Sequence, residues 1–195
     1  MAAKARELKN QGIDIIGLSL GEPDFNTPEF IKEAAVQAVN DDWNSYSPVD
    51  GYADLKEAIC EKFKRDNKLF YKPSQIVVST GAKQSIANVC MVLLDPGEEV
   101  LLPAPYWVSY SAIATLAEAK SIIIPSTIET DFKITPDQLE QVITPKTKLI
   151  MFNSPNNPSG TIYSEEEYRA LGKVLEKYPD IFILSDEIYE HINYG

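Results

Sequence analysis

The sequence predicts an α/β domain with a mainly parallel sheet, and three observations lead there. From Ile76 onward, short apolar stretches alternate with stretches of helical periodicity, the rhythm of strand–helix–strand units. Two of the helical stretches open on capping boxes, Thr135-Pro136-Asp137-Gln138 and Ser164-Glu165-Glu166-Glu167. In each, a hydroxyl at the cap and a Gln or Glu three residues on satisfy backbone N–H groups reciprocally. The unusual compositions, rich in Gly, Pro, Asn and aromatic residues, fall directly after the apolar stretches, where a sheet of this kind binds its ligands.

The elements follow in chain order. Ile13 to Leu20 reads as a short strand. Thr27-Pro28 opens a helix, with Thr27 as N-cap and Pro28 at the first helical position, and the helix runs through Ile31, Ala35 and Val39. A loop with Pro48 and Gly51 precedes a second helix, marked by Leu55, Ile59 and Phe63 at helical spacing. Ile76–Ser79 is apolar and β-branched and reads as a buried strand. Lys83–Leu94 reads as helix, Glu99–Leu102 as strand, Val108–Ala117 as helix and Ser121–Ile124 as strand. The first capping box opens a helix through Leu139 to Ile143. Leu149–Phe152 is a strand, the second box opens a helix reaching Tyr178, and Phe182–Ser185 is the last strand. No internal repeat or low-complexity linker interrupts this order.

Composition narrows the function. With 195 residues, 44% of them hydrophobic, a buried core can form. A net charge of −11 argues against a nucleic-acid surface, which needs excess Lys and Arg, and against anionic membranes. No apolar run spans a bilayer, and Met1–Asn10 is charged without the apolar core of a signal peptide, so a cytoplasmic location is expected. Cys60 and Cys90 lie in helical stretches with apolar neighbours and read as small core residues rather than a redox pair or metal site. The single histidine, His191, gives little material for a metal site or a Ser-His-Asp triad.

Four stretches lie at predicted strand ends. Thr80-Gly81-Ala82-Lys83 joins strand to helix, and its small residues and helix N-terminus suit an anion such as a phosphate; the plainer reading is an ordinary tight turn. Neither GxGxxG nor GxxxxGK[ST] is present. Trp107 follows two prolines, placed either to stack on a flat ligand or to pack on the sheet edge. Ser154-Pro155-Asn156-Asn157-Pro158-Ser159-Gly160 is a rigid turn-rich loop, in which an asparagine amide could donate to a ring oxygen or a carboxylate. Asp186 ends an apolar strand, where a carboxylate needs a cationic partner or several donors; it either caps the segment from Glu187 or meets a cationic ring nitrogen. Tyr189 falls on the same side if a helical turn follows.

These stretches together resemble the fold-type I pyridoxal-phosphate (PLP) enzymes, and within them the class I aminotransferases of the aspartate aminotransferase family. The resemblance rests on Leu20-Gly21-Glu22-Pro23-Asp24-Phe25, Tyr46 with Gly51-Tyr52, Thr80-Gly81-Ala82-Lys83-Gln84, Pro105-Tyr106-Trp107-Val108-Ser109-Tyr110, Asn153 to Gly160 and Ser185-Asp186-Glu187-Ile188-Tyr189, in family order and spacing. It implies an aspartate aminotransferase-like large domain with helices on both faces of the sheet, with residues 1–25 belonging to a small domain and 26–195 forming the first part of the large one. It implies that Ala82 and Lys83 hold the PLP phosphate through backbone N–H groups. Trp107 would stack on the pyridine ring and Asp186 pair with its nitrogen. Tyr189 and Asn157 would bond the ring oxygen. Gly21, Trp107, Asn157 and Lys83 would face the substrate. Tyr46 would reach the phosphate in a neighbouring subunit's site, making a homodimer. No catalytic residue falls in this chain by this match: the Schiff-base lysine and the carboxylate-binding arginines lie beyond Gly195, and the chain alone is expected to be an inactive fragment.

The resemblance further implies that two later strands lie between Ile76–Ser79 and Phe182–Ser185, so the sheet here has a gap and exposed apolar edges. The implied reaction is transamination between an amino acid, aspartate first, and a 2-oxo acid. Alternatives within the fold are a carbon–sulfur lyase or another PLP reaction; outside it, a PLP-sensing regulatory module or an inert truncated product. A regulator would normally carry a basic DNA-reading segment, and none appears.

Overall fold

The computed structural model describes residues 2–16, 21 and 25–192, in two compact units, Met1–Pro48 and Val49–Gly195. The domain boundary expected after residue 25 thus falls inside the first unit.

The first unit holds α1 (Ala2–Asn10) and α2 (Glu29–Asn40). The sequence reading did not anticipate α1; it carries Lys9 in its last turn, favourably placed against the helix dipole. Residues 13–16 form no strand, and 17–20 lie outside the described residues, so the strand expected at Ile13–Leu20 is not found in its described half. Helix α2 starts one residue later than expected. Pro28 has ψ 143° and is extended, so it serves as the N-cap itself; its carbonyl accepts from the Ile31 and Lys32 N–H groups, and Thr27 provides no capping bond. The apolar residues Phe30, Ile31, Val36 and Val39 of α2 are exposed.

The second unit begins with α3 (Ala53–Lys62), which widens into a π-turn at Phe63–Asn67. Next come α4 (Ala82–Leu93), β1 (Glu99–Pro103), α5 (Ser109–Leu116), β2 (Lys120–Ile124), α6 (Pro136–Val142), β3 (Thr147–Asn153), α7 (Glu165–Leu175) and β4 (Phe182–Asp186). Both capping boxes form as the sequence predicts: Thr135 accepts from the Gln138 N–H, and Ser164 from the Glu167 N–H.

The four strands are parallel in the order β2-β1-β3-β4. Side chains alternate across a strand, and the two central strands use this to fill two cores. Val100 and Leu102 of β1 with Leu149 and Met151 of β3 pack against Ile86 and Cys90 of α4 and Tyr110, Ile113 and Ala114 of α5. Leu101, Ile150 and Phe152 point the other way, against Leu139 of α6 and Leu171, Val174 and Leu175 of α7. Helices therefore cover both faces, as the resemblance implied. Cys90 is fully buried, and desolvation pushes its thiol up to about 11.

Ile76–Ser79 is not a strand, because it has no ladder partner among the described residues. It is held as extended chain instead: the Val78 N–H donates to the Asp50 carbonyl at 3.1 Å. Val78 also packs on Gly51, whose φ is +99°, so closely that a Cβ at residue 51 would sit 2.6 Å from a Val78 methyl. Glycine alone satisfies both the backbone angle and the approach. At the far side of the sheet, β4 leaves Phe182 and Ile183 half exposed. No helix of the described residues is long and apolar enough to cross a membrane.

Candidate cofactor site

The parallel ladders of β3 and β4 end in register, Asn153 opposite Asp186, and the candidate residues gather beyond this end. The Asp186 carboxylate is held by two donors. The Tyr110 hydroxyl gives Oδ2 a bond of 2.6 Å, and the Ile188 N–H gives Oδ1 one of 3.3 Å. The turn at 188–191 thus begins on Asp186 as an Asx turn, so Asp186 caps a turn where the sequence alternative was a helix. Because an ionised carboxylate has about four acceptor positions, this leaves Asp186 room for a further donor.

Tyr110 is only 1% exposed. Burial first, and then its bond to Asp186, push its hydroxyl pKa upward, so it remains a proton-bearing donor at any ordinary pH. Its ring meets Trp107 edge-on, with centroids 5.6 Å apart. Over the indole lies the Lys83 ammonium, 4.9 Å from the ring centroid, a cation–π contact. Lys83 stands in the first turn of α4, after Gly81, whose φ of +91° suits a residue without Cβ. Neither Ala82 nor Lys83 has an intrahelical partner for its N–H by helix geometry, whereas the Thr80 N–H is taken by the Gln84 side chain at 2.6 Å.

The loop after β3 is tied down by its asparagines. Asn153 is buried at 6% exposure; its Nδ2 donates to the Asp186 carbonyl at 2.8 Å, and its Oδ1 accepts from the Asn157 N–H at 2.7 Å. Asn156 donates to the Pro105 carbonyl at 3.2 Å and accepts from the Ser159 N–H and hydroxyl. Asn157 Nδ2 donates to the Tyr189 hydroxyl at 3.0 Å. The turn carrying Tyr189 is anchored in addition by Glu190, which binds the Lys62 ammonium and the Asn67 amide; these partners hold the Glu190 carboxyl below its usual range.

A continuous path of contacts therefore runs Lys83–Trp107–Tyr110–Asp186–Asn153–Asn157–Tyr189. It includes five residues singled out from the sequence, with Ala82 adjacent to Lys83. The other two candidates, Gly21 and Tyr46, lie in the first unit, where both are exposed; of the Leu20–Phe25 stretch, Leu20 and residues 22–24 lie outside the described residues. Tyr110 and Asn153 fell within the stretches that carry the resemblance but were given no role there. Asn153 had a signal, since it ends an apolar strand as Asp186 does. Tyr110 had only its place one helical turn after Trp107.

The residues fit pyridoxal phosphate: an indole face for the ring, a carboxylate with a spare acceptor position for a cationic nitrogen, an amide–phenol pair for the ring oxygen, and helix N–H groups for the phosphate. The comparisons with known proteins bear on the family. The sequence model of aminotransferase class I and II matches residues 13–195. The chain is 54% identical to the aspartate/prephenate aminotransferase of Nitrosomonas europaea, over 98% of this chain and 48% of that protein. It is 52% identical to the aspartate aminotransferase of Bacillus subtilis, over 100% of this chain and 49% of that one. Among solved structures it is similar to the aspartate aminotransferase from Rhizobium meliloti, at 45% identity and a TM-score of 0.95, covering all of this chain and 48% of the other. The chain thus spans about half the length of the relatives it matches. By sequence model, identity and fold together, it belongs to the class I and II aminotransferases, a PLP-dependent family.

Proposed function

We propose that this chain binds pyridoxal phosphate and serves transamination between an amino acid, aspartate first, and a 2-oxo acid, in the manner of the aspartate and aspartate/prephenate aminotransferases it is similar to. The observation that carries the reading is the contact path from Lys83 to Tyr189 beyond the strand ends. The bound cofactor would supply an electron sink for bonds at the amino acid's α-carbon. The chain's own residues would do the rest. Asp186, oriented by Tyr110 and the Ile188 N–H, would hold the ring nitrogen in its protonated, electron-withdrawing form. Trp107 would cover one ring face and exclude water. Asn157 and Tyr189, already bonded to each other, would orient the ring oxygen, and Asn157 would lie within reach of the substrate carboxylate. Ala82 and Lys83 would receive the phosphate. Gly21 would let the substrate carboxylate approach its backbone, and Tyr46, fully exposed in its own unit, would reach across to a second copy in a homodimer. This reading gives the covalent lysine role to none of the lysines in this chain.

Lys83 would also read the substrate side chain. A cation at a helix N-terminus is poorly placed electrostatically, and its ammonium extends over Trp107, the residue assigned to the ring face. A distal carboxylate on the substrate would draw it as a mobile point charge.

The test is made in the holoenzyme. Asp186→Ala should lower aspartate transamination at least about a hundredfold while keeping some PLP, and Asp186→Glu should lose less. Near-normal turnover in the alanine variant removes the assignment. Lys83→Ala should lower kcat/KM for aspartate about ten- to a hundredfold and leave a neutral or aromatic amino acid nearly unaffected. An equal fall for both shows that Lys83 does not read the side chain.

A further inference from the structure

We infer that Asn153 is a positioning residue that fixes, through one buried amide, the separation between the two parts of the site that hold the cofactor ring. The inference rests on the PLP reading given above and deepens it. Asp186 stands at the end of β4, while Asn157 and its partner Tyr189 address the ring oxygen. Asp186 and Tyr189 are carried by the end of β4 and the turn after it, and Asn157 by a proline-rich loop. Their spacing must be held to about half an ångström for a ring to meet both.

Among the described residues, Asn153 is the one side chain bonded to both Asp186 and Asn157, beside the direct bond from Asn157 to Tyr189. It is the last residue of β3, in register with Asp186, and its side chain continues the ladder past its end. Its Nδ2 donates to the Asp186 carbonyl at 2.8 Å, a main-chain acceptor that β3 has no further strand residue to satisfy. Its Oδ1 accepts the Asn157 N–H at 2.7 Å, where the loop enters the turn at 157–159 beyond the strand ladder. A primary amide is the smallest group that offers a donor and an acceptor about 2 Å apart on one rigid plane. Serine can donate and accept, but from a single oxygen on a shorter side chain; ionised aspartate can only accept, and leucine can do neither. With 6% exposure, water does not readily replace it, so both bonds matter to the geometry rather than exchanging with solvent.

The experiment uses the holoenzyme and two readouts besides turnover: the dissociation constant for PLP, from titration of the apoenzyme, and the pH midpoint of the bound cofactor's visible absorption band. Asn153→Ala removes both bonds. It should weaken PLP at least about tenfold and move the band midpoint. Asn153→Asp keeps the acceptor for the Asn157 N–H and loses the donor to Asp186, so it should recover part of the PLP affinity lost in the alanine variant. If the alanine variant does not fold, the aspartate variant carries the test, with a measurable loss of affinity expected relative to the unaltered enzyme. Affinity within about twofold of the unaltered enzyme and an unmoved midpoint overturn the inference, even if the melting temperature falls, because that pattern is purely structural. Asp186→Asn separates the two readings. If it leaves the midpoint in place, the cofactor assignment itself fails; if it moves the midpoint and the Asn153 variants do not, Asn153 alone is misassigned.

Discussion

Strands β3 and β4 pair with each other along five residues, and both are drawn from apolar, strand-forming sequence. Six of the seven β3 residues are buried, whereas no β4 residue is. The difference lies in neighbours. β3 has β1 on one side and β4 on the other, and its alternate side chains fill both cores. β4 has one neighbour among the described residues, and only Leu184 reaches a core from it. An apolar run thus specifies a strand, while burial is specified by what stands beside it. The ends of the two strands show the opposite relation: exposed β4 delivers Asp186 into a well-bonded site because Tyr110 and Asn153 reach over from covered elements.

Four substitutions in this chain press on that contrast. The largest effect should come from Leu149→Ala in β3, a fully buried site, with a loss of about 2–5 kcal/mol. Ile183→Ala in β4, at 57% exposure, should cost under about 1 kcal/mol. Urea unfolding of both variants measures the gap, and equal losses would mean that β4 is as structurally committed as β3. Next, Tyr110→Phe removes the bond to Asp186 and should cost about 1.5–3 kcal/mol, the range for a bond to a charged acceptor. A loss below about 0.5 kcal/mol would show that the end of β4 is held without α5. The smallest change in stability should come from Phe182→Lys, within about 0.5 kcal/mol. A charge on an open strand edge opposes pairing with other chains, so light scattering at rising protein concentration should show less self-association than in the unaltered chain.

The architecture was largely legible because its signals are local. The alternation of apolar runs and helical periods gave β1 to β4 and α4 to α7 within a few residues, and the capping boxes placed the starts of α6 and α7. Ile76–Ser79 misled because β-branched residues favour extended backbone, which the segment has, while strand status needs a partner. Thr27 misled because Ser and Thr favour caps statistically, whereas the extended ψ of Pro28 moved the cap one residue on. In the site, Asp186 and Asn157 were legible as polar residues following apolar strands. Tyr110 was not, since its bond to Asp186 joins residues 76 positions apart. Asn153 was overlooked for the same kind of reason, its bond to Asp186 spanning 33 positions.

The strand order also constrains the sequence of events as the chain is made. β1 leaves the ribosome before the other strands, yet its two neighbours are β2 and β3, and Glu99 finds Thr147 only after helices α5 and α6 have intervened. Every sheet contact is non-local, which slows folding relative to a helical domain of equal size. Until Thr147–Asn153 has been synthesised, one edge of β1 stays bare, and Val100, Leu101 and Leu102, fully buried in the finished fold, stand beside it. The most hidden residues of the native protein are therefore among the most accessible ones of the nascent chain, and that interval is when chaperone binding would matter most.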